Sequence, residues 1–138
     1  MEETNIKLRE TVLVVDDQPG IRCLLTEVLT NSNYNVVLAN NGYDGIQLSN
    51  KLTPKAILLD MKMPGMSGID TLKEIKVKNK HSKIIVMTAY GEAELVNNVL
   101  AEGAFNYLTK PFDINNIGQI VADAIRASEE SLKSCPET

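Results

Sequence analysis

The chain has 138 residues, 43% of them hydrophobic, and a formal net charge of -4, which leaves room for one compact core and not for two ordinary domains. The acidic balance lacks the general attraction to phosphate backbones that nucleic-acid binders use, so no direct contact with nucleic acid is expected. The longest apolar runs are about a strand long, against the roughly 20 residues of a membrane-spanning helix, and residues 1–10 mix acids and bases without an apolar signal core, so a cytoplasmic protein is expected.

Short β-rich runs alternate with segments of helical period, the pattern of a parallel sheet covered by helices on both faces. Strands are predicted at residues 11–16, 35–39, 56–60, 84–88 and 106–109. After Pro19, which suits a first helical turn, Ile21, Leu24, Leu25, Val28 and Leu29 recur at helical spacing. Leu24 and Leu29 fall on opposite edges of that wide apolar arc, so one edge is expected to stay uncovered by the sheet. A second helix at residues 43–52 is weakened by Gly42 and Gly45. A third at 68–77 has Ser67 placed to cap it and Ile69, Leu72 and Ile75 facing inward. A fourth at 92–102 stops where Gly103 can turn left-handed. The fifth runs from an Asp113 cap to about Glu130, with Ile114, Ile117, Val121 and Ile125 on one side, and residues 131–138 read as a flexible polar tail. Cys23 and Cys135 sit in contexts too unlike for a disulfide or a metal pair. His81, the single histidine, precedes the fourth strand and reads as a plain surface residue.

In an open parallel sheet the site forms where strands deliver their C-terminal ends. Here the first strand finishes in Asp16 and Asp17, the third in Asp60, the fourth in Thr88 and the fifth in Thr109, Lys110 and Pro111. Three neighbouring carboxylates raise each other's pKa unless a cation sits among them. A hard divalent ion, Mg²⁺ or Mn²⁺, suits carboxylate, carbonyl and water ligands and binds phosphate oxygens as well. With Lys110 as a second positive charge and Thr88 as a hydroxyl donor, the set fits a phosphoryl group arriving at one carboxylate. Asp60 is the expected acceptor, because it ends the central strand and is followed by a Pro-Gly loop, and Asp16 and Asp17 are expected to hold the metal.

The stretches Val12 to Asp17 (VLVVDD), Ile57 to Gly68 (ILLDMKMPGMSG), Val86 to Gly91 (VMTAYG) and Tyr107 to Phe112 (YLTKPF) resemble the receiver domain of two-component response regulators, over roughly residues 10–127. The resemblance implies a flavodoxin-like fold with five parallel strands in the order 2-1-3-4-5 and an aspartyl phosphate at Asp60. It also implies a metal on Asp16, Asp17, Asp60 and the Lys62 carbonyl, a cis Lys110–Pro111 peptide, and a switch pair at Thr88 and Tyr107. On this reading residues 1–9 are an N-terminal extension and 10–130 the receiver. Asp16 to Arg22 (DDQPGIR), Asp60 to Gly65 (DMKMPG), Thr88 to Glu92 (TAYGE) and Lys110 to Ile114 (KPFDI) resemble single-domain sporulation phosphorelay intermediates, from which Pro19 and Tyr107 depart.

A relay intermediate must hold its phosphoryl group, and the long side chains of Lys62 and Tyr90, each two residues past Asp60 and Thr88, are expected to obstruct water there. A histidine kinase or histidine phosphotransferase is the implied partner of a monomer, met by Gln18, Gly20, Ile21, Leu24, Pro111 and Phe112. Three other readings remain open: the receiver module of a larger output-domain regulator, a Mg²⁺-dependent phosphatase, and a flavin-binding flavodoxin-like module. The phosphatase would need a general acid or base for turnover, and a stand-alone receiver is not an enzyme in that sense. The flavin module would need a loop of free N–H donors where Asp16, Asp17, Gln18 and Pro19 stand.

Overall fold

The structure is a computed structural model; it describes residues 9–134, and the side-chain surroundings of residues 9–131. Most of the expected N-terminal extension, residues 135–138 and Cys135 lie outside the described residues. Strands and helices alternate through β1 (Thr11–Val15), α1 (Pro19–Asn31), β2 (Asn35–Ala39), α2 (Gly42–Leu52), β3 (Ala56–Asp60), α3 (Gly68–Lys78), β4 (Lys83–Ala89), α4 (Ala93–Ala101), β5 (Asn106–Lys110) and α5 (Ile114–Ser134). All strand pairs are parallel and the order is β2-β1-β3-β4-β5, the expected flavodoxin-like arrangement. The chain winds outward in both directions from β1, so the C-terminal ends of β1 and β3 form the topological switch point.

Period-two alternation in the strands divides the core into two layers. Val12, Val14, Leu58, Ile85 and Met87 face Leu25 and Leu29 of α1 and Ile117 and Val121 of α5. Leu13, Val15, Ile57, Leu59, Ile84 and Val86 face the opposite way, onto Leu72 and Ile75 of α3 and Val99 of α4. All five residues of β3 are buried, as a central strand covered on both faces requires. Each such aliphatic side chain contributes about 1.5–3 kcal/mol on burial, so the two layers fix where the strand ends emerge.

The helix starts carry their own signals. Ser67 Oγ accepts the Asp70 N–H at 3.2 Å, and Asp113 Oδ1 accepts the Asn115 N–H at 3.1 Å. Asn41 caps α2 by accepting the Asp44 N–H at 2.8 Å, which starts that helix one residue earlier than expected. Gly103 has φ +111° and ends α4 as anticipated.

Ile114 shares one side of α5 with Ile117, Val121 and Ile125 but is 56% exposed, because α5 begins with it and core packing starts at Ile117. Two expectations need correction. The helix then continues to Ser134, past the expected end near Glu130; residues 131–134 contain no helix breaker, the next being Pro136. His81 is half-buried rather than plainly exposed: its Nδ1 lies 2.9 Å from Ser131 Oγ, and its carbonyl accepts the Ser128 hydroxyl at 2.7 Å.

Candidate functional site

The switch point brings together side chains far apart in sequence. Asp16 follows β1 directly, is fully buried, and its N–H still donates to the Ala39 carbonyl at 3.1 Å. Asp60 closes β3 and is 5% exposed, while Thr88 in β4 is 3% exposed. Parallel register sets Thr88 beside Thr109 and Ala89 beside Lys110. Across the described residues, the Thr88 hydroxyl has no hydrogen-bond partner, a costly state for a buried hydroxyl unless a ligand oxygen is to meet it.

Lys110 organises the acids. Its Nζ lies 3.0 Å from Asp16 Oδ2, 3.3 Å from Asp60 Oδ1 and 3.1 Å from Gln18 Oε1. Asp16 Oδ1 accepts the Gln18 N–H at 2.8 Å, and Arg22 donates to the Asp16 carbonyl at 2.7 Å, so α1 braces the loop that carries the acids. Burial raises the Asp60 pKa above its ordinary value, and the negative charge of Asp16 raises it further; Lys110 and the Lys62 backbone act against both.

Asp16, Asp17 and Asp60 each offer a carboxylate oxygen within 4.8 Å of the others. A buried pair of acids whose mutual repulsion is only partly relieved by one ammonium, with a half-buried third beside them, fits a divalent cation. The three acids would hold it, and its charge would neutralise incoming phosphoryl oxygens. Asp17, Asp60, Lys62, Thr88, Glu92 and Lys110 line a cleft of about 270 Å³ above Asp60.

The sequence pattern of the response regulator receiver domain matches residues 12–122. The chain belongs to that family. It is 43% identical over 114 residues to Sporulation initiation phosphotransferase F of Bacillus subtilis (strain 168), covering 83% of this chain and 92% of that protein. It is 35% identical over 122 residues to the DNA-binding transcriptional regulator NtrC of Escherichia coli (strain K12), covering 88% of this chain and 26% of that protein. A solved response regulator receiver domain protein from Clostridium thermocellum has a TM-score of 0.82 at 29% identity, covering 87% of this chain and 97% of that one.

Within this receiver, the remaining expected residues are placed as follows. The Lys110–Pro111 peptide is cis. Thr88 and Tyr107 line one cavity of about 410 Å³ with Tyr90 and Val96, Thr88 buried at its inner end and Tyr107 39% exposed. Tyr90, 87% exposed, borders that cavity and not the cleft above Asp60, so the structure does not bring it together with Lys62 there. On the expected partner face, Gly20 and Pro111 are exposed, and Ile21 and Phe112 are half-buried against the core beneath α1. Leu24 is half-buried at the edge of a groove between α1 and α5 that also touches Val28, Ile114 and Gly118, the uncovered edge its sequence position indicated. Among the described residues no helix is long and apolar enough to cross a membrane.

Sequence reasoning missed two contributors. Arg22 closes the DDQPGIR stretch but was given no role, yet it holds the Asp16 carbonyl. Glu92 read as the first residue of a helix, but it stands just before α4, pairs with the Lys62 ammonium, and accepts the Ala89 N–H at 3.3 Å. That pairing holds the Glu92 carboxyl below the ordinary carboxylate range. Its sequence signals were its place at the end of the TAYGE stretch and its position, four residues past Thr88 in a loop that borders the site.

Proposed function

We propose that this chain accepts a phosphoryl group on Asp60 from the phosphohistidine of a histidine kinase or phosphotransferase, and passes it on or signals by contact in the phosphorylated state. The observation that carries this is the convergence of Asp16, Asp60 and Lys110 at the switch point, with Lys110 Nζ 3.0 and 3.3 Å from the two carboxylates. An Asp60 oxygen forms the new P–O bond while the P–N bond of the donor breaks, the electron pair going to the imidazole nitrogen. Lys110 then neutralises a phosphoryl oxygen, and the unpartnered Thr88 hydroxyl donates to another. Drawing Thr88 inward vacates part of the cavity it shares with Tyr107, whose ring then has room to turn in. Mg²⁺ bound by Asp16, Asp17, Asp60 and the Lys62 carbonyl would supply further neutralisation of the same oxygens. Lys62 screens the acceptor from water.

The likeness to Sporulation initiation phosphotransferase F over 92% of that protein supports a relay intermediate. The match to about a quarter of NtrC supports a second reading, the receiver module of a longer regulator, which would use the same site. A turnover phosphatase finds less support: His81 is bonded to Ser131 and Ser128 of α5, in the connection that precedes β4 and not at the strand ends. A flavin phosphate would meet Asp16 and Asp17 where it needs N–H donors.

Incubation with Mg²⁺ and a small acyl phosphate, followed by intact mass measurement, is expected to add one acid-labile phosphoryl equivalent to the wild type and none to Asp60→Asn. A wild type that gains no mass, or one that instead hydrolyses many equivalents of a phosphomonoester, would overturn the proposal.

A further inference from the structure

Two loops meet over the acceptor cleft. Lys62 comes from the connection after β3, two residues past Asp60, and Glu92 from the connection after β4, four residues past Thr88. The Lys62 ammonium is paired with Glu92 Oε2, while Glu92 Oε1 accepts the Ala89 N–H at 3.3 Å. Glu92 is thus held to the backbone by one oxygen and holds a cation with the other. Both side chains line the cleft above Asp60. The Lys62 side chain is 70% exposed, so little packing fixes its stem and its position depends on the ion pair.

We propose that Glu92 is a positioning residue for the acceptor: it ties Lys62 across the mouth of the cleft and so sets how long Asp60 keeps its phosphoryl group. This rests on the phosphoacceptor reading above and adds to it the group that makes Lys62 an effective cover. Hydrolysis needs a water in line with the Asp60–phosphoryl bond, on the open side of the cleft. A tethered lysine occupies that approach continuously. An untethered one samples many rotamers and occupies it part of the time. The phosphoryl dianion competes with Glu92 for the same ammonium, and the Ala89 N–H, by fixing the carboxylate, favours Glu92 in that competition.

Wild type, Glu92→Gln, Lys62→Asn and the double variant are each phosphorylated with acetyl phosphate and Mg²⁺, freed of donor, and followed by intact mass. Glu92→Gln keeps the size of the side chain and an acceptor for the Ala89 N–H, so its thermal midpoint should match the wild type. Its phosphoryl group is expected to decay about two- to fivefold faster, the scale of one exposed ion pair. Lys62→Asn should decay at least as fast, and the double variant no faster than Lys62→Asn. Added salt should speed decay of the wild type and leave Glu92→Gln unchanged, a response that a purely structural role of Glu92 would not produce. Unchanged or slower decay in Glu92→Gln overturns the inference, as does an equal fold-change from that substitution with and without Lys62. Faster decay in Lys62→Asn alone would leave the cover standing without its anchor, whereas a wild type that takes no phosphoryl group overturns the site reading itself.

Discussion

Burial and the charge of Asp16 hold the Asp60 carboxyl above the ordinary aspartate value of 3.8, with partial relief from Lys110. The folded protein therefore binds that proton more tightly than the unfolded chain does. The stability linked to it is fully present below the unfolded value and is lost as pH rises through the raised folded value. Ionising this carboxyl therefore costs the folded protein more than it costs the unfolded chain. Asp60→Asn is accordingly expected to raise the thermal midpoint at pH 7, in chelator, by about 2–5 °C. That advantage should shrink as pH falls toward 4. Adding Mg²⁺ should then stabilise the wild type more than the variant, since a ligand that binds only the folded state stabilises it by mass action. A lower midpoint for Asp60→Asn in chelator at pH 7 would mean that the Lys110 contact outweighs the burial and repulsion.

At the scale of elements, alternation of apolar strands with amphipathic helices was enough to read the sheet, its five strands and the edge where the acids gather. Those features are written in residue type and period, and Asp16, Asp60, Thr88 and Lys110 stand at strand ends that the period locates. The Lys62–Glu92 pair was not legible, because an acid at a helix start is commonplace and its partner comes from another loop. Nor does spacing alone give exposure: Ile114 shares a side of α5 with buried Ile117, but its position at the first turn leaves it exposed. Gly68 shows the same limit. It starts α3 as expected, but residue type alone does not show that a Cβ there would lie 2.7 Å from the Asp60 carbonyl oxygen and 2.5 Å from Met61 Cα. Both are backbone atoms and cannot swing aside, so α3 reaches this close to β3 only through glycine. Gly68→Ala is expected to cost about 1–3 kcal/mol by overpacking, read as a lower thermal midpoint, and to slow phosphorylation by a small donor because the Asp60 backbone must shift. A midpoint equal to or above the wild type would show that the loop relaxes freely and the close approach is not required.

Across the whole molecule the two edges of the sheet are built for different tasks. At the N-terminal edge, Lys55 bridges Glu10 at 3.1 Å and Glu129 at 2.9 Å, Ser82 donates to the Pro54 carbonyl, and Ser128 to the His81 carbonyl. These contacts tie α5 and the loops before β3 and β4 to one another. The opposite edge carries the acids, Lys110 and the open cleft, with the half-buried apolar side chains of α1 and Phe112 beside it. On the proposed function a phosphohistidine would reach Asp60 from that edge, so a partner helix bundle is expected to rest on Ile21, Leu24 and Phe112 as it delivers the group. Ile21 also packs against the core, and truncating it therefore risks a loss of stability that would imitate a loss of docking. Two donors separate the effects. Ile21→Ala is expected to slow transfer from a phosphorylated histidine phosphotransfer domain by tenfold or more, as a central interface contact does when worth about 1.4 kcal/mol or above. Phosphorylation by acetyl phosphate, which needs the site but not the surface, should stay within about twofold, because a domain of ordinary stability remains about 99% folded even after losing about 2 kcal/mol. An equal fall with both donors would assign Ile21 to the fold and move the docking surface elsewhere along the edge.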